Sequence, residues 1–251
     1  MTVLQMLHRY TAPTVREVEA QAEVYRTGPA GKRVDVRAIT VLLLAAVCLS
    51  GQHYTPMLLG ETDDCTQLVR WAAITIAWYT VLPALAIKLI FRENLRDYGL
   101  KLAGWSSGWP VYLVFVAVML PLVLVMSTTM HFQQSYPFYQ TWAPADGWGK
   151  LLAWELSYAV QFVALEFFFR GFLVHGLKHR FGTYAIFVMT VPYCMIHFGK
   201  PALECAASII AGVVLGFMSL KARSIWLGAA LHISVAWGMD ACSLWRKGLL
   251  G

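Results

Sequence analysis

Glu166 and Arg170 stand four residues apart inside an apolar run, Leu165-Glu166-Phe167-Phe168-Phe169-Arg170-Gly171, and the next two apolar runs carry His197 and His232. A charge at the centre of a bilayer costs at least about 2.5–3.5 kcal/mol, so an ionisable group at that depth is kept mainly where it lines a pathway or does chemistry. Carboxylate and guanidinium at i and i+4 also read as an interior ion pair that only neutralises itself. The two histidines weigh against that reading. Amide hydrolysis away from bulk water needs a base for the attacking water, a donor for the oxyanion and a proton for the leaving amine. Glu166 as base, His197 orienting the water and protonating the amine, and His232 facing the oxyanion would supply all three. Arg170, one turn on, would hold Glu166 in position and ionised.

Those residues need a membrane protein to position them. The chain has 251 residues, of which 58% are hydrophobic and 14% charged, against about one-quarter charged in a soluble domain. Seven apolar runs are candidate spans: Ala38 to Tyr54, Val69 to Phe91, Pro110 to Ser127, Leu151 to Leu177, Tyr184 to Phe198, Ala202 to Leu220 and Ile225 to Trp245. The fold class expected is all-α, a polytopic transmembrane helix bundle of about seven spans. The first run follows a long polar segment without a small-residue cleavage pattern, so it is expected to remain as a span rather than act as a signal peptide. Residues 1–37 form an N-terminal segment, 38–127 three spans, 128–150 an outer aromatic loop and 151–251 a four-helix core. Within the first segment, Thr14 and Glu17 have the form of a capping box, with Val15, Val18, Ala22 and Tyr25 on one face. That pattern predicts a short surface helix ended by Gly28-Pro29. The aromatic loop, with Tyr136, Phe138, Tyr139, Trp142 and Trp148, reads either as a lid or as interfacial anchoring.

Charge sets orientation. Arg9, Arg16, Arg26, Lys32, Arg33 and Arg37 precede the first span, whereas Glu61, Asp63 and Asp64 follow it. The N-terminus is expected in the cytoplasm, and Lys88, Arg92, Arg96, Lys101, Lys178, Arg180, Lys221 and Arg223 agree with alternation. Lys150, Lys200 and Arg246-Lys247 do not. Glu166 lies 15 residues before Phe181, and His197 lies 15 after Gly182. Both are expected about 22 Å from one turn, with His232 one to two helical turns lower. Glu204 and Asp240 border the outer end of the cavity so formed, and Glu155 sits about 16 Å further out than Glu166 on the same face. The net charge of +6 lies in span flanks and does not point to nucleic acid. Five cysteines show no metal spacing, and four of them fall in apolar segments as small hydrophobes.

Three motifs in successive runs resemble those of the CAAX protease and bacteriocin-processing family of membrane endopeptidases. Glu166-Phe-Phe-Phe-Arg170-Gly171 is similar to the end of its first motif, two glutamates followed by three residues and an arginine. Tyr193-Cys-Met-Ile-His197 is similar to the second and His232-Ile-Ser-Val-Ala236 to the third. The likeness runs from Trp148 onward. It implies a metal-free glutamic intramembrane endopeptidase without cofactor, acting on a protein substrate with a membrane-associated segment, in contact with membrane lipid. Glu166, His197, His232 and Arg170 then match the site residues. Two positions depart: the first motif's leading glutamate is Leu165, and the third motif's asparagine is Ala236. Glu204, just past the Lys200-Pro201 return, is the expected substitute for the missing carboxylate, with Asp240 the weaker one.

The function expected is hydrolysis of a peptide bond near the C-terminal region of membrane-associated or exported proteins, in a bacterial inner membrane. A site in the outer half of the bilayer would suit a sorting role similar to that of the myxosortase branch. An inactive immunity or scaffold protein, or processing of prenylated proteins, stands as the alternative. A divalent ion held by Glu166, His197 and His232 is admitted by ligand type. A transporter is disfavoured because no inverted repeat with paired broken helices is visible.

Overall fold

Helices account for every apolar run. The computed structural model describes residues 3–29, 33–102 and 109–250; Lys32, counted above among the basic flanks, lies outside them. The elements are α1 (Val3–Thr27), α2 (Val36–Leu58), α3 (Asp64–Phe91), α4 (Trp109–Met126), α5 (Met130–Ser135), α6 (Trp148–Phe181), α7 (Tyr184–Met195), α8 (Ala202–Ala222) and α9 (Trp226–Arg246). No strand occurs among the described residues. Six of these helices are long and apolar enough to cross a membrane, and the protein is a polytopic helical bundle.

The fifth expected span is the exception. α7 ends at Met195, after 12 residues, which gives about 18 Å against a hydrocarbon core of about 30 Å. The chain turns back over Ile196–Lys200, where Gly199 takes φ +91°, and Pro201 starts α8. Pro192 lies one turn before this stop. The return places a histidine on non-helical backbone inside the bundle, where protein rather than lipid satisfies the polar groups.

α1 also differs from expectation. It runs through Pro13 and Thr14 instead of starting there, so Thr14 and Glu17 are interior positions and not a capping box. Packing explains the difference: Val18 and Ala22 are buried, and Lys221 Nζ lies 2.9 Å from the Tyr10 ring centroid. Further along, Glu19 Oε1 accepts from the Thr183 amide at 2.7 Å and its hydroxyl at 2.6 Å. The Thr183 hydroxyl holds the Glu19 carboxyl below its usual value, against the opposing effect of burial. α2 starts where sequence rules place it, with the Asp35 carboxylate accepting from the Ala38 amide at 2.9 Å.

α6 is the central helix. Of its apolar window 83% is buried, against 6% for α4, whose exposed Leu113, Val114, Val118 and Val125 face outward as lipid-facing side chains do. Phe167, Phe168 and Phe169 are all at most 1% exposed, so the helix around the Glu166/Arg170 pair is apolar all round because it is enclosed all round. Tyr79 of α3 stacks on Phe168 at 4.4 Å. Over Phe167–His175 the helix widens to π winding, a local distortion common at functional sites. A Cβ on Gly171 would stand 2.6 Å from the Tyr98 carbonyl oxygen; only glycine lets the short turn Leu95–Tyr98 approach here.

The aromatic loop packs inward. Tyr136, Tyr139 and Trp142 are 3%, 4% and 2% exposed, which sets aside interfacial anchoring for them. Phe138 stacks between Trp71 and Trp154, at 5.8 and 5.4 Å. The stack continues along one face of α6 through Tyr158 and Phe162 and ends on the His232 ring, parallel to Phe162 at 5.4 Å.

Candidate active site

Spacing explains why one face of α6 carries both the aromatic column and the carboxylate: Trp154, Tyr158, Phe162 and Glu166 follow one another at four-residue intervals. Glu166 is 1% exposed and Arg170 0%. Arg170 Nη1 lies 2.9 Å from Glu166 Oε1, and His232 Nδ1 lies 3.0 Å from the same oxygen. These are ion-pair distances without aligned hydrogen-bond geometry, since neither Glu166 oxygen has a hydrogen-bond partner among the described residues. The carboxylate therefore keeps acceptor capacity in a nearly water-free place. Arg170 is further held by the Tyr193 ring, whose centroid lies 4.0 Å from its Cζ.

His232 is closer to Glu166 than helix rise alone predicts. The expected offset of one to two turns assumed regular winding from the turn near Ala222. In the structure α9 starts at Trp226, α6 is π-wound at this level, and Gly228 lies against Glu166. A Cβ at Gly228 would land on Glu166 Oε2, so the missing side chain makes room for the carboxylate and brings His232, one turn on, to its edge.

Tyr193 joins the two histidines. Its hydroxyl is 2.8 Å from His232 Nε2, and its carbonyl oxygen is 2.8 Å from His197 Nδ1. A carbonyl only accepts, so His197 carries its proton on Nδ1 and, when neutral, presents Nε2 as an acceptor. The same reasoning at His232 puts the proton on Nδ1, toward Glu166, with the Tyr193 hydroxyl donating to Nε2. Both imidazoles are partly exposed while Glu166 is not. Arg170, Glu166, His232, Tyr193 and His197 thus form one connected array drawn from α6, α7 and α9. Glu166 reaches His197 only through His232 and Tyr193.

Glu204 is placed nearby with its oxygens engaged. Oε1 pairs with Lys200 Nζ at 2.5 Å, and Oε2 accepts from the Tyr136 hydroxyl at 3.0 Å. Lys200, His232 and Glu204 are among the charges that act on His197. Asp240 and Glu155 lie close to each other instead, between α9 and α6. Asp240 Oδ1 also accepts from the Phe138 amide at 2.9 Å, which ties the aromatic loop down. Of the two positions that depart from the motifs, Leu165 is 7% exposed and Ala236 5%. Both pack into apolar clusters.

Sequence reasoning missed three contributors. Tyr193 was noted only as the aromatic position of a motif, although its four-residue spacing to His197 carried a signal. Phe162 and Gly228 gave none, because their roles are contacts between helices. Among the described residues no group of three or more His, Cys, Asp or Glu side chains is arranged to hold a metal ion.

The array lies inside a polytopic helical bundle with six helices long and apolar enough to cross a membrane. Residues 146–238 match the family model described as Rce1-like, type II CAAX prenyl endopeptidase, and all three motifs fall within that stretch. This part of the chain is similar to the CAAX protease and bacteriocin-processing type, a family of proteases. No curated protein and no solved structure matches the chain.

Proposed function

We propose that this protein is an intramembrane endopeptidase that cleaves membrane-associated or exported proteins near their C-terminal region. The observation that carries the reading is the connected array from Arg170 through Glu166, His232 and Tyr193 to His197, since an ion pair kept only for neutrality needs neither imidazole. His197 Nε2 is the open acceptor and takes the proton of the attacking water, its Nδ1–H held by the Tyr193 carbonyl. The proton then returns to the leaving amine as the peptide C–N bond breaks. The Tyr193 hydroxyl, held in place by His232, turns its proton to the carbonyl oxygen as charge develops on it. Glu166 orients His232, and Arg170 keeps Glu166 in place. This shifts the water-activating role from Glu166, where sequence reasoning placed it, to His197. Glu204 joins the site through its field at His197, and it orders Lys200 on the return beside that histidine.

The test compares the C-termini of membrane and exported proteins in cells carrying the gene and cells lacking it. Fragments ending at a new, shared cleavage context should appear only where the gene is present. Identical termini in the two strains would remove the proposal. The apolar packing of Leu165 and Ala236 favours the competing reading of an inactive member, and that outcome would select it.

The side served follows from the basic flanks. With the N-terminus in the cytoplasm, the return at Gly199 lies in the outer half of the bilayer, which favours exported substrates over prenylated cytoplasmic ones. Gly182 is a poor position for a probe, since a Cβ there would run into the Glu19 carboxylate. Exposed Glu61 and Arg96 serve instead. In a cysteine-free background of intact cells, Glu61→Cys should react with a membrane-impermeant thiol reagent and Arg96→Cys should not. The opposite pattern would move the substrate to the cytoplasmic face.

A further inference from the structure

At the end of the bundle clamped by α1 lies a cavity of about 180 Å³ lined by Glu17, Asp97, Lys101, Lys178, Leu220 and Arg223, among others. It is far along α6 from Glu166 and belongs to no part of the proposed site. Its charges do not balance. Three cations, Lys101, Lys178 and Arg223, face two carboxylates, Glu17 and Asp97, which leaves one positive charge. Glu17 is taken up by its ion pair with Arg223. Lys178 is half-buried, and its Nζ meets not a carboxylate but His175 Nδ1, at 3.0 Å. His175 is 3% exposed and its Nε2 in turn meets the Ser219 hydroxyl at 3.0 Å. Lys101, also half-buried, forms no salt bridge with a described residue. The charges that act on Lys178 are mostly of its own sign, Arg223, Lys101 and Arg37, with Asp97 opposing.

A solvated row of lysines at a membrane edge would need no cavity and would leave its ammonium groups in water. Here two lysines line a partly open cavity with too few acids to pair with both. Bringing like charges together in a partly desolvated place is unfavourable unless an anion completes the set. A cavity of about 180 Å³ leaves room for a phosphate group. The basic flanks put this end of the bundle at the leaflet that carries anionic lipids, where basic pockets between helices take phosphate headgroups.

We propose that this cavity binds a phosphate monoanion, with the phosphodiester headgroup of an anionic phospholipid as its source, and that the bound group joins α6 to the segment after α3 that carries Lys101. The ligand's single negative charge matches the one positive charge left over. Its oxygens accept from Lys101 and Lys178 while the acyl chains run down the outside of the bundle.

The experiment uses the purified full chain in neutral detergent. Thermal unfolding is followed with phosphatidylglycerol, phosphatidylcholine or inorganic phosphate added, and lipid retention is read by native mass spectrometry. Phosphatidylglycerol should raise Tm by at least about 2 °C and remain bound, whereas phosphatidylcholine should do neither. Lys101→Gln should lose at least half of that shift. Lys88→Gln, outside the cavity and bonded to Asn94, should keep it all. Lys178→Gln should match Lys101→Gln, and if its loss of the His175 contact prevents folding, Lys101→Gln alone decides. A shift reproduced by inorganic phosphate and lost in Lys101→Gln supports the site with a soluble anion as its source. An unchanged shift in Lys101→Gln, or an equal shift with phosphatidylcholine, overturns the proposal.

Discussion

Glu166→Gln and His197→Ala should each lower substrate processing by about 10²–10⁴-fold, the range expected when a positioned acid–base group is removed, while the protein still accumulates in the membrane. The two losses have different causes. Without His197 no described group with an open acceptor remains at the return to take the proton of water. With glutamine at 166 the side chain keeps its size beside Gly228, but its charge is gone. His232, 3.0 Å away, then loses the carboxylate that orients it. Quantified immunoblots of substrate and product, normalised to membrane-inserted enzyme, give the measurement. Full processing in either variant would sink the assignment. Disappearance of the protein in Glu166→Gln would instead support a structural ion pair.

Arg170→Met should be the most destabilising single change at the site. Removing one partner of a buried ion pair leaves the other charge uncompensated, at a cost of about 3–5 kcal/mol. Here the remaining charge would be Glu166, 1% exposed, and the Tyr193 ring would also lose the cation above it. Accumulation and Tm should both fall. The companion test is Glu166→Leu in the same chain, because replacing both members of such a pair by apolar residues of similar volume is often neutral or stabilising. The double variant should recover Tm and accumulation yet process nothing. Normal Tm in Arg170→Met would show that the pair carries little stability. Recovered processing in the double variant would show that the carboxylate is not part of the chemistry.

The two predictions separate stability from chemistry at one residue. Under the proposed function, Glu166 serves Arg170 in folding and His232 in the reaction. Glutamine answers the second question with less disturbance to the first, and leucine paired with methionine removes the first question altogether.

Much of this protein is written in its order of residues. Long apolar runs with few charges determine helices and a bilayer, because the unfolded alternatives would expose backbone polar groups to hydrocarbon. The motif residues Glu166, Arg170, His197 and His232 stood out because ionisable groups are rare at such depth, and three spaced motifs sufficed to suggest the family that residues 146–238 match. The basic flanks indicate an orientation for the same reason that lysine and arginine are expensive to translocate. What sequence could not supply were the distances between helices. That α7 stops after 12 residues, that α6 widens at Phe167, and that Gly228 lets α9 close on Glu166 all depend on side chains from other helices. The aromatic loop faced the same limit: Tyr136, Tyr139 and Trp142 suit a membrane interface as well as a protein interior, and only the cleft between α3, α6 and α9 decided for the interior. The cationic cavity under α1 is the extreme case, for its residues come from four separate stretches of chain. Each is an ordinary basic or acidic flank until packing encloses them together, because local rise and periodicity follow from neighbours in sequence, whereas enclosure depends on neighbours in space.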